Sequence, residues 1–211
     1  MTAAVFLALA LLSYLIGAIP FGVIVGKVLS GVDVRDYGSG ATGTTNVLRT
    51  AGPVAALLVL FGDLGKGMAP VLLAWWLVPQ SSWAEALAGI GAIVGHSWPV
   101  YAGFRGGKGS ATGVGALLIM APWVGLMALG VFAVVVALTR YVSLGSILGT
   151  LAMIVGLVSF VLLGAEPWPY LAFALVGGAI LIFRHKDNVL RLMAGTEHRM
   201  GERGKRRQVS L

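Results

Sequence analysis

Long apolar runs alternate with short polar segments along most of the chain. The runs cover residues 2–28, 53–78, 84–101, 111–138, 144–163 and 168–183. Most of them approach the roughly 20 apolar residues that a helix needs to cross a bilayer. The first run has no basic segment before it, which favours a spanning helix over a signal peptide. The pattern predicts one all-α membrane helix bundle, residues 1–211, in which residues 199–211 form a basic tail.

Lysine and arginine are confined to certain connections between the runs. Apart from Lys66, they lie in residues 27–49, 105–108, 140 and 184–207. The connections at residues 79–83 and 164–169 contain neither. Because positively charged loops stay cytoplasmic, an even number of crossings must separate each pair of basic segments.

The stretch from residue 110 to residue 139 must then cross the membrane and return. It has only 30 residues, and Pro122 lies inside it, where proline breaks a helix. We therefore expect about seven transmembrane helices, with a fourth that is short or partly inserted and ends before Pro122. The N-terminus would lie outside and the C-terminus in the cytoplasm. The alternative is one long tilted span, which would place Arg140 outside.

Composition narrows the class of protein further. The chain is 58% hydrophobic and 11% charged, whereas a soluble domain is about 25% charged. An ordinary soluble domain and a disordered chain are thus excluded. The absence of cysteine excludes disulfides and thiolate chemistry, and the scattered acids suggest no metal or cofactor. The net charge is +7, and the lysines and arginines other than Lys66 lie beside one predicted membrane face. This placement favours phosphorylated lipid precursors over nucleic acid as the binding partner.

A loop before the second run is rich in glycines and hydrogen-bond donors. Its candidate binding residues are Gly38, Ser39, Gly40, Gly43, Thr45, Asn46 and Arg49. Glycine permits positive φ, so successive backbone N–H groups can turn toward one anion, and the planar guanidinium suits phosphate. The Walker lysine is missing. The pattern favours a phosphate loop, with a flexible connector as the alternative.

A second glycine-rich loop surrounds a lysine. Its candidates are Gly106, Gly107, Lys108 and Gly109, with His96 a short distance before them. Backbone donors beside a cation again suit an anion, although a basic anchor at the membrane face would also fit. Asp63 and Lys66 can form an ion pair inside a predicted span. Ionisable groups there suggest function, but Lys66 can equally be a structural contact.

The last candidates lie near the predicted cytoplasmic ends of two further helices. Ser143 follows Arg140, and His185, Asn188 and Arg191 share one face of a predicted helix. Glu197 comes shortly afterwards. Polar donors on one face at the membrane surface suit a phosphate, while an amphipathic interfacial helix is the alternative.

Taken in order, these segments resemble the acyl-phosphate:glycerol-3-phosphate acyltransferases of bacterial membranes. The shared motifs are a Gly-Ser-Gly loop ending in Thr-Asn-Val-x-Arg, Gly-His-x-x-Pro leading to Gly-Gly-Lys-Gly, and His-x-x-Asn-x-x-Arg-Leu followed by Gly-x-Glu. They lie at residues 38–49, 95–109 and 185–197. Residues 41–44 read Ala-Thr-Gly-Thr where the family usually has Asn-Pro-Gly-Ala, and Ser110 replaces a small apolar residue.

The resemblance implies transfer of an acyl group from acyl phosphate to the sn-1 hydroxyl of glycerol 3-phosphate. The products would be lysophosphatidate and inorganic phosphate, in the first acylation of phospholipid synthesis at the cytoplasmic face of the inner membrane. Because the acyl phosphate is already activated, direct transfer is sufficient and no covalent enzyme intermediate is required. No obligate protein partner is expected.

On this basis the candidates receive roles. The glycines of both loops, Lys66, His96 and Glu197 are expected to contribute to substrate binding. The acyl phosphate would contact Ser39, Thr45, Lys108, Ser143 and His185, of which all but Thr45 would be catalytic. Glycerol phosphate would be oriented by Asn46, Arg49, Asn188 and Arg191. The base is either His185 or a substrate phosphate oxygen.

Two other functions are compatible with parts of the pattern. A small transporter or channel for an anionic phosphorylated solute would need polar groups along a midplane path, and only Asp63 and Lys66 lie that deep. A non-catalytic membrane scaffold leaves the glycine loops unexplained. The enzyme is therefore the preferred hypothesis.

Overall fold

A computed structural model describes residues 3–202, and this part of the chain is all-helical, without strands. Its helices are α1 (Ala3–Gly17), α2 (Phe21–Ser30), α3 (Thr44–Leu77), α4 (Ser82–Ser97), α5 (Ser110–Met120), α6 (Pro122–Thr139), α7 (Val142–Leu162), α8 (Tyr170–Arg184) and α9 (Lys186–Met193). A π-helical turn, Phe173–Gly177, lies inside α8. The predicted all-α class is confirmed.

Several of these helices have the length and composition of membrane spans. Within the described residues, four segments are long and apolar enough to cross: α1 with α2, α3, α6 and α7. Helices α5 and α8 are shorter and also apolar. The number of crossings and the orientation of the termini remain predictions, as does the role of the basic tail, of which residues 203–211 lie outside the described part.

The first apolar run is not one helix. It breaks between α1 and α2, where Pro20 stands directly before Phe21. Proline has no N–H, and its ring clashes with the carbonyl of the residue four positions before it, which favours a break in the helix. Gly17 at the end of α1 packs against the backbone of Ala92 on α4, where a side chain would collide. The break lets α1 pack on α4 while α2 packs on α3.

Helix α3 is kinked at Gly52, whose backbone has φ 86° and ψ 179°. Pro53 follows immediately and starts the long apolar part of the helix. The two turns before the kink carry Asn46 and Arg49, whereas Asp63 lies well beyond it. The kink thus sets the first candidate loop at an angle to the spanning segment.

The stretch from residue 110 to residue 139 forms two helices, as the sequence predicts. They meet at Ala121, which has non-helical backbone (φ −141°), and Pro122 occupies the first turn of α6. Helix α5 packs along α3, and α6 packs along α7. The two helices therefore share an elbow at Ala121 but belong to different helix pairs.

Orientation can be tested at Arg140, which is exposed between α6 and α7. The chain has no native cysteine, so a cysteine introduced there is the only thiol. We expect Arg140→Cys to react with a membrane-impermeant maleimide in inside-out vesicles and to stay unlabelled in intact cells. Gln80→Cys, in the exposed connection after α3, should show the reverse. Labelling of residue 140 from outside would contradict the seven-helix arrangement.

Candidate active site

A cavity of about 470 Å³ lies between α3, α5, α6, α7 and α8. Its polar lining includes eleven predicted residues: Ser39, Thr45, Asn46, Arg49, His96, Lys108, Ser143, His185, Asn188, Arg191 and Glu197. Gly43 and Gly109 also line it. Most of these residues lie in loops or at the ends of α3, α5, α7 and α8, so they gather at one end of the cavity. The remaining wall is mostly apolar, and its other polar residues are Thr44, Asp63, Ser110, Ser146 and Thr150.

A hydrogen-bond chain connects residues that are far apart in sequence. The Lys108 ammonium donates to the Asn188 Oδ1 over 2.5 Å, and the Asn188 Nδ2 donates to the Glu197 Oε1 over 2.8 Å. The Ser143 hydroxyl donates to the same oxygen over 3.0 Å. The Arg191 Nε donates to the Glu197 Oε2 over 2.8 Å. One carboxylate thus fixes three side chains of the cavity wall.

Glu197 therefore has a positioning role that its residue type did not reveal. Burial would raise the pKa of its carboxyl, but hydrogen bonds from Asn188, Arg191 and Ser143 hold that pKa below its ordinary value. An ionised carboxylate would repel a substrate phosphate. Asn188 and Arg191 keep N–H donors that they do not give to Glu197, so the geometry favours a positioning role for Glu197, and its contact with substrate stays a prediction.

Lys108 is a desolvated cation at the end of the second glycine loop. Burial lowers its pKa to about 8, although the charge of Glu197 opposes this change. The ammonium is consequently protonated at neutral pH and loses its charge just above it. A cation with poor hydration interacts strongly with an anion placed beside it.

His185 is buried and remains neutral near pH 7. Burial, together with the positive charge of Lys108, lowers its pKa to about 4. Its Nδ1 lies 2.8 Å from the carbonyl oxygen of Leu181. Since a carbonyl only accepts, Nδ1 must carry the proton. The other ring nitrogen, Nε2, then has a free lone pair and can accept a proton.

Asn46 is occupied by its own loop. Its Nδ2 donates to the carbonyl oxygens of Val34, Tyr37 and Ala41, and its Oδ1 accepts the N–H of Ser39. A direct contact with substrate would have to displace one of these bonds. Asn46 thus fixes the loop that carries Ser39, which is a different role from the one predicted.

Two unpartnered polar atoms lie at the start of α3. The Arg49 Nη2 donates to the His198 carbonyl over 3.2 Å, but its Nε is buried without a partner among the described residues. The Thr44 hydroxyl is in the same state, and both residues line the cavity. Buried polar atoms are normally hydrogen-bonded. Sequence reasoning did not single out Thr44, because nothing distinguished it from the neighbouring hydroxyls.

Hydrogen bonds from Arg184 and to His96 fix the second glycine loop. Arg184 donates from Nε and Nη2 to the carbonyl of Gly107, over 3.0 and 2.9 Å. The Gly107 N–H donates to the His96 carbonyl over 3.1 Å, and a Cβ on Gly107 would overlap the His96 ring. These glycines therefore allow close packing. The predictions missed Arg184, whose guanidinium fixes the loop.

A buried polar cluster supports this loop from inside the helix bundle. The Lys66 ammonium lies 2.8 Å from the Asp63 Oδ1 and also donates to the Ile19 carbonyl over 2.9 Å. The His96 Nδ1 lies 3.1 Å from the Thr112 hydroxyl and 3.6 Å from the Asp63 Oδ1. Asp63 and His96 line the cavity. Lys66 is satisfied by protein groups, which favours the structural alternative.

Some predicted residues lie behind the cavity wall. The predicted site residues that do not line the cavity are Gly38, Gly40, Lys66, Gly106 and Gly107, all within the described residues 3–202. Gly38 and Gly40 have positive φ, 53° and 71°, and shape the first loop. A role for them in substrate binding would have to be indirect. No group of three potential metal-ligating side chains occurs in this part of the chain.

Thr44 provides a test of the lining. Thr44→Val keeps the shape and removes the hydroxyl, so we expect kcat/KM for the substrate bound there to fall about fivefold to tenfold, as for one lost hydrogen bond. The change should lie mainly in KM. Thr50→Val is the matched control, because the Thr50 hydroxyl donates to the Asn46 carbonyl within α3 and does not line the cavity. Equal effects of the two changes would exclude a direct role for Thr44.

Comparison with known proteins agrees over nearly the whole chain. The family model described as glycerol-3-phosphate acyltransferase matches residues 7–195. The glycerol-3-phosphate acyltransferase of Rubrobacter xylanophilus is 46% identical over 197 residues, which cover 92% of this chain and 95% of the relative. That of Thermosynechococcus vestitus is 43% identical over 212 residues and covers 95% and 98%.

Solved structures show the same fold. The crystal structure of PlsY (YgiH), an integral membrane glycerol 3-phosphate acyltransferase, in its glycerol 3-phosphate form superposes with a TM-score of 0.85. It is 40% identical and covers 93% of this chain and 96% of that one. The lysophosphatidic acid form has a TM-score of 0.83 at 38% identity, with 93% and 95% covered. The chain therefore belongs to the family of integral membrane glycerol-3-phosphate acyltransferases.

Proposed function

We propose that this acyltransferase uses acyl phosphate as its donor and acts at the cytoplasmic face of the bacterial inner membrane. It transfers the acyl group to the sn-1 hydroxyl of glycerol 3-phosphate and forms lysophosphatidate and inorganic phosphate. The observation that carries the proposal is that one cavity combines a cationic polar end with a long apolar arm. Such a cavity suits a phosphate attached to an acyl chain.

The polar end carries cations that can interact with two phosphates. The cations that line it are Arg49, Lys108 and Arg191, and the charge of Arg191 is partly balanced by Glu197. The Arg49 Nε and the Thr44 hydroxyl have no hydrogen-bond partner within residues 3–202, and both residues line the same cavity as Lys108. We assign Arg49, Asn188 and Arg191 to glycerol phosphate, and Ser39, Thr45 and Lys108 to the acyl phosphate. Ser143 would join them only by exchanging its hydrogen bond to Glu197 for one to the phosphate.

The reaction is one nucleophilic substitution at the acyl carbonyl carbon. The sn-1 oxygen forms a bond to that carbon, the bond between carbon and the phosphate oxygen breaks, and inorganic phosphate leaves with the electron pair. The proton of the hydroxyl passes to a base. The Lys108 ammonium stabilises the negative charge that develops on the departing phosphate. No group on the protein needs to carry the acyl chain.

His185 is the protein base in this scheme, through its free Nε2. Because its pKa is lowered to about 4, it is already deprotonated at pH 6–9, and its own titration should not bend the rate profile there. We expect His185→Ala to lower kcat 10²–10⁴-fold across this range, as for loss of general-base catalysis. His198→Ala, at an exposed position, should keep kcat within about twofold. A His185→Ala enzyme that retains most of its kcat would assign the proton to a substrate phosphate instead.

Direct transfer is tested with the donor alone. We expect purified protein mixed with acyl phosphate, in the absence of glycerol 3-phosphate, to release no burst of phosphate and to show no added acyl mass. A covalent intermediate would give both signals and ping-pong kinetics. Acyl thioesters of the same chain length, tested in parallel, should be poor donors.

A further inference from the structure

The apolar arm of the cavity has a defined depth. On α7 its lining descends from Ser143 to Met153, which at 1.5 Å per residue is about 15 Å along the helix. On α6 the lining starts near the polar end at Val136 and reaches no further than Ala128. On α5 it reaches no further than Leu118. The three helices stop lining the cavity on approaching the elbow at residue 121.

Below this depth the same helices are packed against each other. Met120, Ala121, Val124 and Leu157 are at most 5% exposed and belong to one core cluster, which also includes Met153. The chain itself closes the space between α5 and α6, because one helix turns into the other at Ala121. The arm therefore ends on a floor of close-packed side chains.

Helices α6 and α7 also leave no gap at the floor. A Cβ placed on Gly156 of α7 would lie 2.9 Å from the Val124 Cγ1 of α6, so the glycine permits close contact. One to two turns nearer the polar end, a Cβ on Gly149 would lie 3.1 Å from the carbonyl oxygen of Ala128. The two helices are close at this level too, but Ala128 and Gly149 still line the cavity, whereas Val124 and Gly156 do not. The arm therefore reaches Ala128 and is closed beyond it.

We propose that this floor limits the length of the acyl chain that is transferred efficiently, with Ala128 and Met153 as specificity-determining residues. The inference rests on the proposed function, since it places the acyl carbonyl beside Lys108 and His185 and the tail in the apolar arm. With the carbonyl fixed there, each added methylene reaches further toward the floor. Close-packed interiors do not admit extra methylenes without displacing side chains. Chains longer than the arm are therefore disfavoured.

The test compares decanoyl and stearoyl donors. Ala128→Leu adds three carbons to the wall of the arm near its floor. We expect the ratio of kcat/KM for stearoyl over decanoyl phosphate to fall about tenfold or more, the scale of poor fit in an apolar pocket. The decanoyl value should stay within about threefold of the parent enzyme. Ala133→Leu makes the same change at an exposed position of α6 that does not line the cavity, and should leave the ratio unchanged.

Met153→Ala provides the opposite change and a second route if Ala128→Leu does not fold. It removes side-chain volume at the floor, so we expect the stearoyl to decanoyl ratio to rise. The proposal would be overturned if kcat/KM changed by the same factor for decanoyl and stearoyl phosphate in both variants. In that case the stearoyl to decanoyl ratio would equal that of the parent enzyme. Thioester donors of both lengths are measured alongside. If only thioesters react, the acyl-phosphate proposal fails while the ratio still tests the floor.

Discussion

We expect the replacement of Lys108 with alanine to lower kcat/KM by about 10²–10³-fold, the scale of losing one preorganised donor to a developing oxyanion. The Lys108 side chain is half-buried and lines the cavity, and its ammonium donates to Asn188 over 2.5 Å, so water cannot replace its charge well. Steady-state assays with varied acyl phosphate and glycerol 3-phosphate measure the effect. Lys186→Ala is the matched control, since Lys186 is exposed on α9 and does not line the cavity. Comparable losses in both variants would point to general charge effects.

The pH profile gives an independent signature of the same residue. Because burial lowers the pKa of Lys108 to about 8, its charge is present below that pH and is lost above it. We expect kcat/KM, which reports the free enzyme, to decline as pH rises through about 8. Lys108→Arg should remove this decline, because arginine keeps its charge throughout. A parent profile that stays flat to pH 10 would contradict a role for the ammonium charge.

We expect the replacement of Glu197 with alanine to destabilise the fold and to lower activity together. The change leaves Arg191, Asn188 and Ser143 without their shared acceptor. Breaking a buried ion pair costs about 3–5 kcal/mol. The Arg191 side chain is 32% exposed, so solvent screening places the expected loss in the free energy of unfolding at about 3 kcal/mol. Thermal unfolding in detergent measures it. Glu202→Ala removes a carboxylate from an exposed pair with His198 and should leave Tm unchanged.

The stabilisation by Glu197 depends on pH in a fixed direction. Its folded-state pKa is held below the ordinary 4.5, so the contribution is complete above that value. It disappears as pH falls through the folded-state pKa, because the protonated carboxyl loses its charge. The difference in Tm between the parent protein and Glu197→Gln should therefore shrink at acidic pH. A difference that grows as pH falls would contradict the assigned direction.

The sequence predicts the class of fold because apolar runs and basic loops report directly on a membrane environment. It also predicts the break before Pro122, since proline is unfavourable in the interior of a helix. The break before Pro20 rests on the same signal, but the surrounding apolar run masked it. Which helices pack together depends on contacts between distant glycines and backbones, such as Gly17 against Ala92, and no local pattern encodes them.

The residue types in the sequence indicated where the candidate site lies better than they indicated the role of each residue. The cations and hydroxyls do converge on one cavity. The Asn46 amide, however, bonds to its own loop, and the Glu197 carboxylate accepts hydrogen bonds from neighbouring side chains. Such roles depend on partners up to 54 residues away in sequence, as for Ser143 and Glu197. Thr44 was missed for the opposite reason, because its importance lies in having no partner at all among the described residues.

The most direct test of the account is reconstitution of the purified protein with acyl phosphate and labelled glycerol 3-phosphate. We expect labelled lysophosphatidate and inorganic phosphate to appear in equal amounts, without any thioester donor or added metal. Lys108→Ala supplies the matched blank. Folded protein that forms no lysophosphatidate from acyl phosphate, but forms it from an acyl thioester, would contradict the proposed donor.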